Sequence, residues 1–223
     1  NKFYFLKLDI SKYFYSLDHE LIISIVKQDL NHDELNLVKI ILESTNKEHI
    51  NKKIKYLEKK YNVELPKYEH GKGLAIGNLS SQFLAILYLS KLQHYITNNL
   101  QIKFINYMDD YILIHNSKEY LKYSLELIEN KINNEYKLKL NSKKTIISNS
   151  NQGISFLGYT FRVKNNKTIV KLNTNTKKNI RKGIKRANYL YKNNLIKLNQ
   201  YFKNNYIFVN KDKVKHFIDR YNG

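Results

Sequence analysis

The sequence predicts an α+β fold, an antiparallel sheet with helices packed on one face, followed by a basic helical appendage. Three observations predict it. Short apolar runs of strand length come in hairpin pairs. The longer stretches between them repeat apolar residues at helical spacing. The charge is also uneven, with 17 basic and 2 acidic residues from Arg162 onward against 22 and 17 before it.

Residues 3–10 (Phe-Tyr-Phe-Leu-Lys-Leu-Asp-Ile) read as a buried, aromatic-rich strand with Asp9 at its end. Leu17, Leu21, Ile22, Ile25, Val26 and Leu30 then follow helical spacing, and 31–65 continue as polar amphipathic helix until Pro66, the only proline. Gly71, Gly73 and Gly77 mark a loop, and Asn78 or Ser80 is placed to cap the helix after it. That helix, about 81–97, is apolar over most of its surface and is expected to be buried. Residues 103–108 and 111–115 form a hairpin turning at Asp109-Asp110. Leu121, Leu125, Ile128 and Ile132 mark another helix. Residues 154–161 and 167–172 form a second hairpin turning at Asn165-Asn166, and 174–222 are helical with Lys, Arg and Tyr interleaved.

Composition narrows the function classes. The absence of Cys removes disulfides, thiol catalysis and zinc-thiolate sites, and fits a reducing cytoplasm. No run approaches the roughly 18–20 apolar residues that span a bilayer, and no signal peptide opens the chain. The only methionine is Met108, so the chain is expected to be a piece of a longer protein. A net charge of +20 points to a polyanionic partner, and its clustering after residue 161 favours nucleic acid over an anionic membrane.

A lone Asp at a strand end or turn is ordinary. Asp109-Asp110 differs because Tyr107 and Met108 precede it and Tyr111, Ile112, Leu113 and Ile114 follow. Adjacent like charges between apolar strands repel unless a cation offsets them. Mg²⁺ takes oxygen ligands, keeps several waters, and binds one or two carboxylates plus substrate phosphates. Asp9 and Asp109 would suit a two-metal phosphoryl-transfer site if their strands are neighbours in the sheet.

Tyr107-Met108-Asp109-Asp110 resembles the Tyr-x-Asp-Asp signature of reverse transcriptases. Four further segments resemble that family's motifs, in the family's order. Phe5-Leu6-Lys7-Leu8-Asp9-Ile10-Ser11-Lys12-Tyr13-Phe14 has an Asp followed five positions later by an aromatic, as in the first palm motif. Gly73-Leu74-Ala75-Ile76-Gly77-Asn78-Leu79-Ser80-Ser81-Gln82 resembles the loop and helix under template and nucleotide. Leu140-Asn141-Ser142-Lys143-Lys144-Thr145 resembles the segment carrying a basic residue, and Phe156-Leu157-Gly158-Tyr159 the primer grip.

The resemblance implies a polymerase palm over 1–172 and part of a basic helical thumb over 173–223, with fingers absent. It implies Asp9, Asp109, Asp110 and the Ile10 backbone carbonyl as ligands for two Mg²⁺ ions, with Mn²⁺ as a substitute. Phe14 would exclude a ribose 2′-hydroxyl; as a residue on its own it reads first as a core aromatic, and the motif reverses that preference. Lys144, or its neighbour Lys143, would act at the leaving pyrophosphate. Ile76, Gly77, Ser81 and Gln82 fall at the nucleotide or template. The implied partners are an RNA template, a DNA primer and dNTPs, with room for an accessory protein. Ile76 stands where intron and retroviral enzymes usually carry Gln, and Gln82 where intron enzymes carry Pro. That pattern resembles reverse transcriptases of diversity-generating retroelements. In the thumb, Lys178, Arg181, Lys182, Lys185 and Arg186 offer charge for a phosphate backbone. The tyrosines Tyr189, Tyr191, Tyr201 and Tyr206 are candidates for stacking or for a small core.

Overall fold

The computed structural model describes residues 3–45, 48–165 and 167–193. It falls into two compact units that divide after Gln152.

The first unit is built on β1 (Tyr4–Leu8), an interior strand because both of its edges pair, one with each neighbouring strand. It is followed by α1 (Tyr13–Ser16), α2 (His19–Val26), α3 (His32–Glu43) and α4 (Glu48–Tyr61). Then come α5 (Leu79–Tyr88), α6 (Ser90–His94) and a π-helical turn (Tyr95–Asn99). The hairpin β2 (Lys103–Tyr107) and β3 (Asp110–His115), helix α7 (Lys118–Asn134) and β4 (Ile146–Asn149) complete it. The sheet is antiparallel in the order β2-β3-β1-β4.

The two-residue period of β1 sorts its side chains. Leu6, opposite Leu113 and Ile147, and Leu8, opposite Tyr111, face a core shared with Ile22, Leu84, Tyr88, Leu121 and Ile128. Lys7, opposite Ile112, lies on the other face, and Asp9 follows just past the strand's end. Caps set the helix starts: Asn31 and Glu34 form a capping box on α3, and Ser117 caps α7. In α7 the buried residues Leu121, Ser124, Ile128 and Ile132 recur at the spacing of one helical face.

Several boundaries differ from the sequence expectation. Residues 31–65 are two helices. The break follows Glu43, where the Ser44 and Thr45 hydroxyls donate to the Ile41 and Leu42 carbonyls at 2.6 and 2.9 Å and compete with the helix. Helix α4 stops at Asn62 (φ 50°), ahead of Pro66. The 81–97 segment is interrupted at Leu89, and it is not buried all round. Ser81, Leu84, Ala85 and Tyr88 point inward, whereas Leu79, Phe83 and Ile86 are 82%, 61% and 48% exposed. The first hairpin turns at Met108-Asp109, because Tyr107 pairs with Asp110; Asp110 therefore belongs to β3.

The second unit holds β5 (Ile154–Phe156), β6 (Tyr159–Lys164), β7 (Lys167–Leu172) and α8 (Thr174–Asn193). The expected strand 154–161 is itself a hairpin. Leu157 and Gly158 both have positive φ (46° and 84°), as a tight primed turn requires. Leu-Gly lacks the Asn or Asp that signals such a turn. The β6–β7 hairpin turns at Asn165 as expected; its partner Asn166 lies outside the described residues, as do residues 194–222 of the expected terminal helix.

Asp18 ties the fold together. Its carboxylate caps α2 at Leu21 N (2.9 Å) and pairs with Lys137 Nζ (2.8 Å), far away in sequence. Burial opposes its charge, but the bonds from Lys137 and Leu21 N outweigh burial and hold its pKa below the ordinary 3.8. Its contribution is therefore present above pH 3.8 and lost as pH falls through the lower folded value. Asp18→Ala should cost about 2 kcal/mol of stability at neutral pH in urea unfolding, and the deficit should shrink on acidification.

Candidate active site

Three carboxylates gather at one end of the sheet. Leu8 pairs with Tyr111, so Asp9 and Asp110 are the next residues along neighbouring antiparallel strands, and Asp109 occupies the turn beside them. Met108, in the left-handed region at φ 55°, makes that turn tight.

Each outer carboxylate has a lysine. Lys144 Nζ lies 3.2 Å from Asp9 Oδ2, and Lys7 Nζ lies 3.5 Å from Asp110 Oδ1. Among the described residues no ion pair reaches Asp109. Burial raises the pKa of Asp109, and the negative charges of Asp110 and Asp9 raise it further, against a partial offset from its own backbone and Lys144. The protonated form is the one the fold favours. That contribution is complete below the ordinary 3.8 and lost as pH rises through the higher folded value.

A strap positions Lys144. Ser11 N donates to the Lys139 carbonyl and Asn141 N to the Asp9 carbonyl, both at 2.8 Å, forming the bridge between Ile10 and Leu140. Lys144 N and Thr145 N then donate to the Asn141 carbonyl, turning the chain so that the Lys144 amine returns to Asp9. Lys143 is exposed, and Lys144 is the one of the two that meets Asp9.

The floor is a cluster of buried tyrosines that sequence reasoning missed. The Tyr13 hydroxyl donates to the Ala85 carbonyl (2.5 Å), Tyr88 donates to the Tyr136 carbonyl (2.7 Å), and Tyr111 accepts from Gln93 Nε2 (3.1 Å). Burial pushes Tyr88, Tyr111 and Tyr136 up to about 12, and Tyr13 higher still, with the Asp109 charge adding to Tyr13 and Tyr111. All four stay neutral and bring no further anion beneath the carboxylates.

Among the described residues no three His, Cys, Asp or Glu side chains stand together as a ready metal cage. The donor chemistry nevertheless fits Mg²⁺, which needs only one or two carboxylates and completes its shell with water and phosphate. Asp9 and Asp109 supply carboxylate oxygens at one edge. The Ile10–Leu140 bridge is made by the Asp9 and Lys139 carbonyls and uses neither polar group of Ile10.

The loop of residues 71–78 is fastened beside Phe14. Leu74 N donates to the Phe14 carbonyl and Gly73 N to the Leu17 carbonyl, both at 2.7 Å. His19 Nε2 lies 2.7 Å from the Gly73 carbonyl, which also accepts from Thr45 Oγ1 (3.2 Å). A side chain at Gly73 would start 2.6 Å from the Tyr68 ring at φ +86°, so only glycine fits. Phe14 itself is half-buried, edge-on to Tyr13 at 5.8 Å. Ile76 is 62% exposed, and Gly77 (φ +100°) has open space where a Cβ would stand. Gln82 is half-buried, whereas Ser81 is fully buried with an unpartnered hydroxyl. Ser81 therefore does not line this surface.

In the second unit Phe156 is buried, while Leu157 and Tyr159 are 50% and 45% exposed. The Gly158 carbonyl accepts from Asn173 N (2.9 Å), and the Asn173 side chain accepts from Thr176 N (2.8 Å) at the start of α8. Lys178, Arg181, Lys182, Lys185 and Arg186 are all exposed on α8, as is Tyr189. The Tyr191 side chain, Tyr201 and Tyr206 lie outside the described residues.

An antiparallel sheet with packed helices and an Asp-bearing hairpin beside an Asp-ended central strand is the plan of a polymerase palm. Consistent with it, the family profile described as reverse transcriptase (RNA-dependent DNA polymerase) matches residues 1–161, and the chain belongs to that family. Group II intron-encoded protein LtrA of Lactococcus lactis subsp. cremoris is 38% identical over 72 residues, which is 32% of this chain and 12% of LtrA. Two telomerase structures from Candida tropicalis superpose with TM-scores of 0.51. One is in complex with a fragment of telomeric RNA (16% identity, covering 78% of this chain and 30% of that one), and the other is the apo form (15%, 78% and 33%). At such identities the likeness is one of fold. The chain spans about a third of the telomerase chains and an eighth of LtrA.

The electrostatics of Asp109 give a stability prediction. Asp109→Asn should raise the melting temperature at neutral pH in the presence of a chelator, because it removes a charge that its buried site and its neighbours disfavour. The gain should disappear near pH 3, and added Mg²⁺ should stabilise the unsubstituted protein more than the variant in thermal-shift measurements.

Proposed function

We propose that the protein containing this chain is an RNA-directed DNA polymerase that extends a primer 3′-hydroxyl with dNTPs on an RNA template. The observation that carries this reading is the meeting of Asp9 with Asp109 and Asp110 at one sheet edge, in a chain of the reverse transcriptase family. Residues 1–172 then serve as palm and 173–223 as the beginning of a basic thumb, a functional division that differs from the compact units.

In this reading Asp9, Asp109 and the Ile10 carbonyl hold two Mg²⁺ ions, with Asp110 beside them. When bound, the ions activate the primer hydroxyl and stabilise charge on the leaving pyrophosphate. The rest falls to the protein. The strap at Ile10–Leu140 and the hairpin turn hold the carboxylates where ligands are needed. Phe14, fixed through its carbonyl to Leu74, presents a ring against the sugar and disfavours a 2′-hydroxyl. Lys144 neutralises Asp9 in the resting site, and its exposed, flexible stem lets it exchange that partner for a phosphate oxygen. Ile76 and Gly77 offer an exposed loop tip to the nucleotide and template. Leu157 and Tyr159 carry the primer grip, and the α8 cations contact the phosphate backbone.

Ile76-Gly77-Asn78-Leu79-Ser80-Ser81-Gln82 supports a diversity-generating retroelement as the source, with Ile76 loosening the check on nucleotide geometry. The match to LtrA favours a second reading, an intron-type enzyme. The two share their chemistry and differ in fidelity.

The full-length protein should extend oligo(dT) on poly(A) only when Mg²⁺ or Mn²⁺ is present. Asp109→Asn should reduce extension on the order of a thousandfold while preserving template-primer binding. Full activity in that variant would end the polymerase reading. Phe14→Ala should narrow the preference for dNTP over rNTP by roughly 100-fold, read from competing incorporation. Ile76→Gln should lower misincorporation at template adenines; an unchanged error rate would remove the retroelement assignment.

A further inference from the structure

Helix α4 takes no part in the site above, yet it carries a strongly charged face. Lys52, Lys53, Lys55, Tyr56, Lys59 and Lys60 fall within about 160° of arc at 3.6 residues per turn, and all are exposed. The opposite side carries Ile50, Ile54 and Leu57, which are half-buried. Of the two acidic residues in the helix, Glu58 is already occupied. It pairs with Lys67 (3.0 Å) and accepts from Leu65 N (3.1 Å). Among the described residues only Glu48, paired with Lys52, offsets the outward charge. Tyr56 and Tyr61 are each 61% exposed, and Lys60 Nζ stands 5.7 and 5.5 Å from their ring centroids.

The helix is also anchored, which a passive solvated face does not require. The Asn51 side chain clasps the Tyr68 backbone from both sides, donating to its carbonyl (2.8 Å) and accepting from its N–H (3.1 Å). The Tyr68 hydroxyl donates to the Leu74 carbonyl (3.1 Å), and its ring packs on Tyr15 at 4.7 Å. A rigid connection therefore runs from α4 to the glycine loop and to the residue after Phe14.

We propose that the outward face of α4 is a binding surface for single-stranded RNA. The lysines meet phosphates, and Tyr56, which lies among them, offers a face on which an unpaired base stacks. A membrane surface fits less well, because the apolar residues of α4 point inward and leave no exposed apolar stripe to insert. The proposal rests on charge and exposed aromatics, so it stands or falls independently of the polymerase reading.

The test uses the full-length protein and a labelled oligouridine, with binding followed by fluorescence polarisation across a salt series. Lys55→Gln/Lys59→Gln should weaken binding and flatten the plot of log affinity against log salt by about 1.4, at roughly 0.7 per phosphate contact. Lys118→Gln/Lys122→Gln, the same charge change at the same spacing on α7, should leave the slope nearly unchanged. Tyr56→Ala should weaken binding about tenfold with the slope intact. Photocrosslinking with 4-thiouridine should label residues of α4. Equal effects from the two lysine pairs, an inert Tyr56→Ala, or crosslinks confined to other segments would each overturn the proposal. So would release of the RNA from α4 by anionic vesicles at matched charge.

Discussion

The structure depends on holding like charges together. Asp9, Asp109 and Asp110 arrive from the end of one strand and the tip of a hairpin, and water alone would separate them. The sheet register does not permit that, because displacing either strand by one residue would turn Leu8 and Tyr111 out of the core. Packing elsewhere thus maintains an electrostatically costly edge. Two lysines lower the cost at the outer carboxylates, and the middle one bears it. A site of this kind is poised for a cation because the fold has already spent stability on the ligands.

The neighbouring elements support that edge at different depths. Directly beneath are tyrosines whose hydroxyls are tied to backbone carbonyls or to Gln93, so the floor is polar in composition and uncharged. Beside it, the 139–144 segment returns a lysine to Asp9 through backbone bonds and the Asn141 side chain, which accepts from Lys143 N. Farther out, Asp18 joins the start of α2 to Lys137 just after α7, bringing distant parts of the chain to one anchor.

Much of this was legible in the sequence. The aromatic-rich apolar run at residues 3–10, the helical spacing of α7 and the five ordered motifs pointed to the sheet, its main helix and the carboxylates. What was not legible was mostly a matter of competition and partners. Ser44 and Thr45 end a helix because their hydroxyls reach back to carbonyls, which no periodicity records. The hairpin turn shifts by one residue because Met108 accepts a positive φ that its side chain does not advertise. Helix α5 is apolar on a face that the described residues leave exposed, so composition alone misjudged its burial. Lys7 carries no signal of its own in the sequence, and its place beside Asp110 appears only when β1 and β3 are paired.

The close fit between Gly73 and the Tyr68 ring has a genetic corollary. One extra carbon at residue 73 would press on a ring that packs against Tyr15 and whose hydroxyl bonds the Leu74 carbonyl. A smaller residue at position 68 would relieve only part of the damage, because φ +86° and the Phe14 carbonyl 3.2 Å away still oppose any side chain at 73. Divergent descendants of this chain would therefore keep glycine at 73 whatever stands at 68, while 51 answers to the backbone of 68 and not to its side chain.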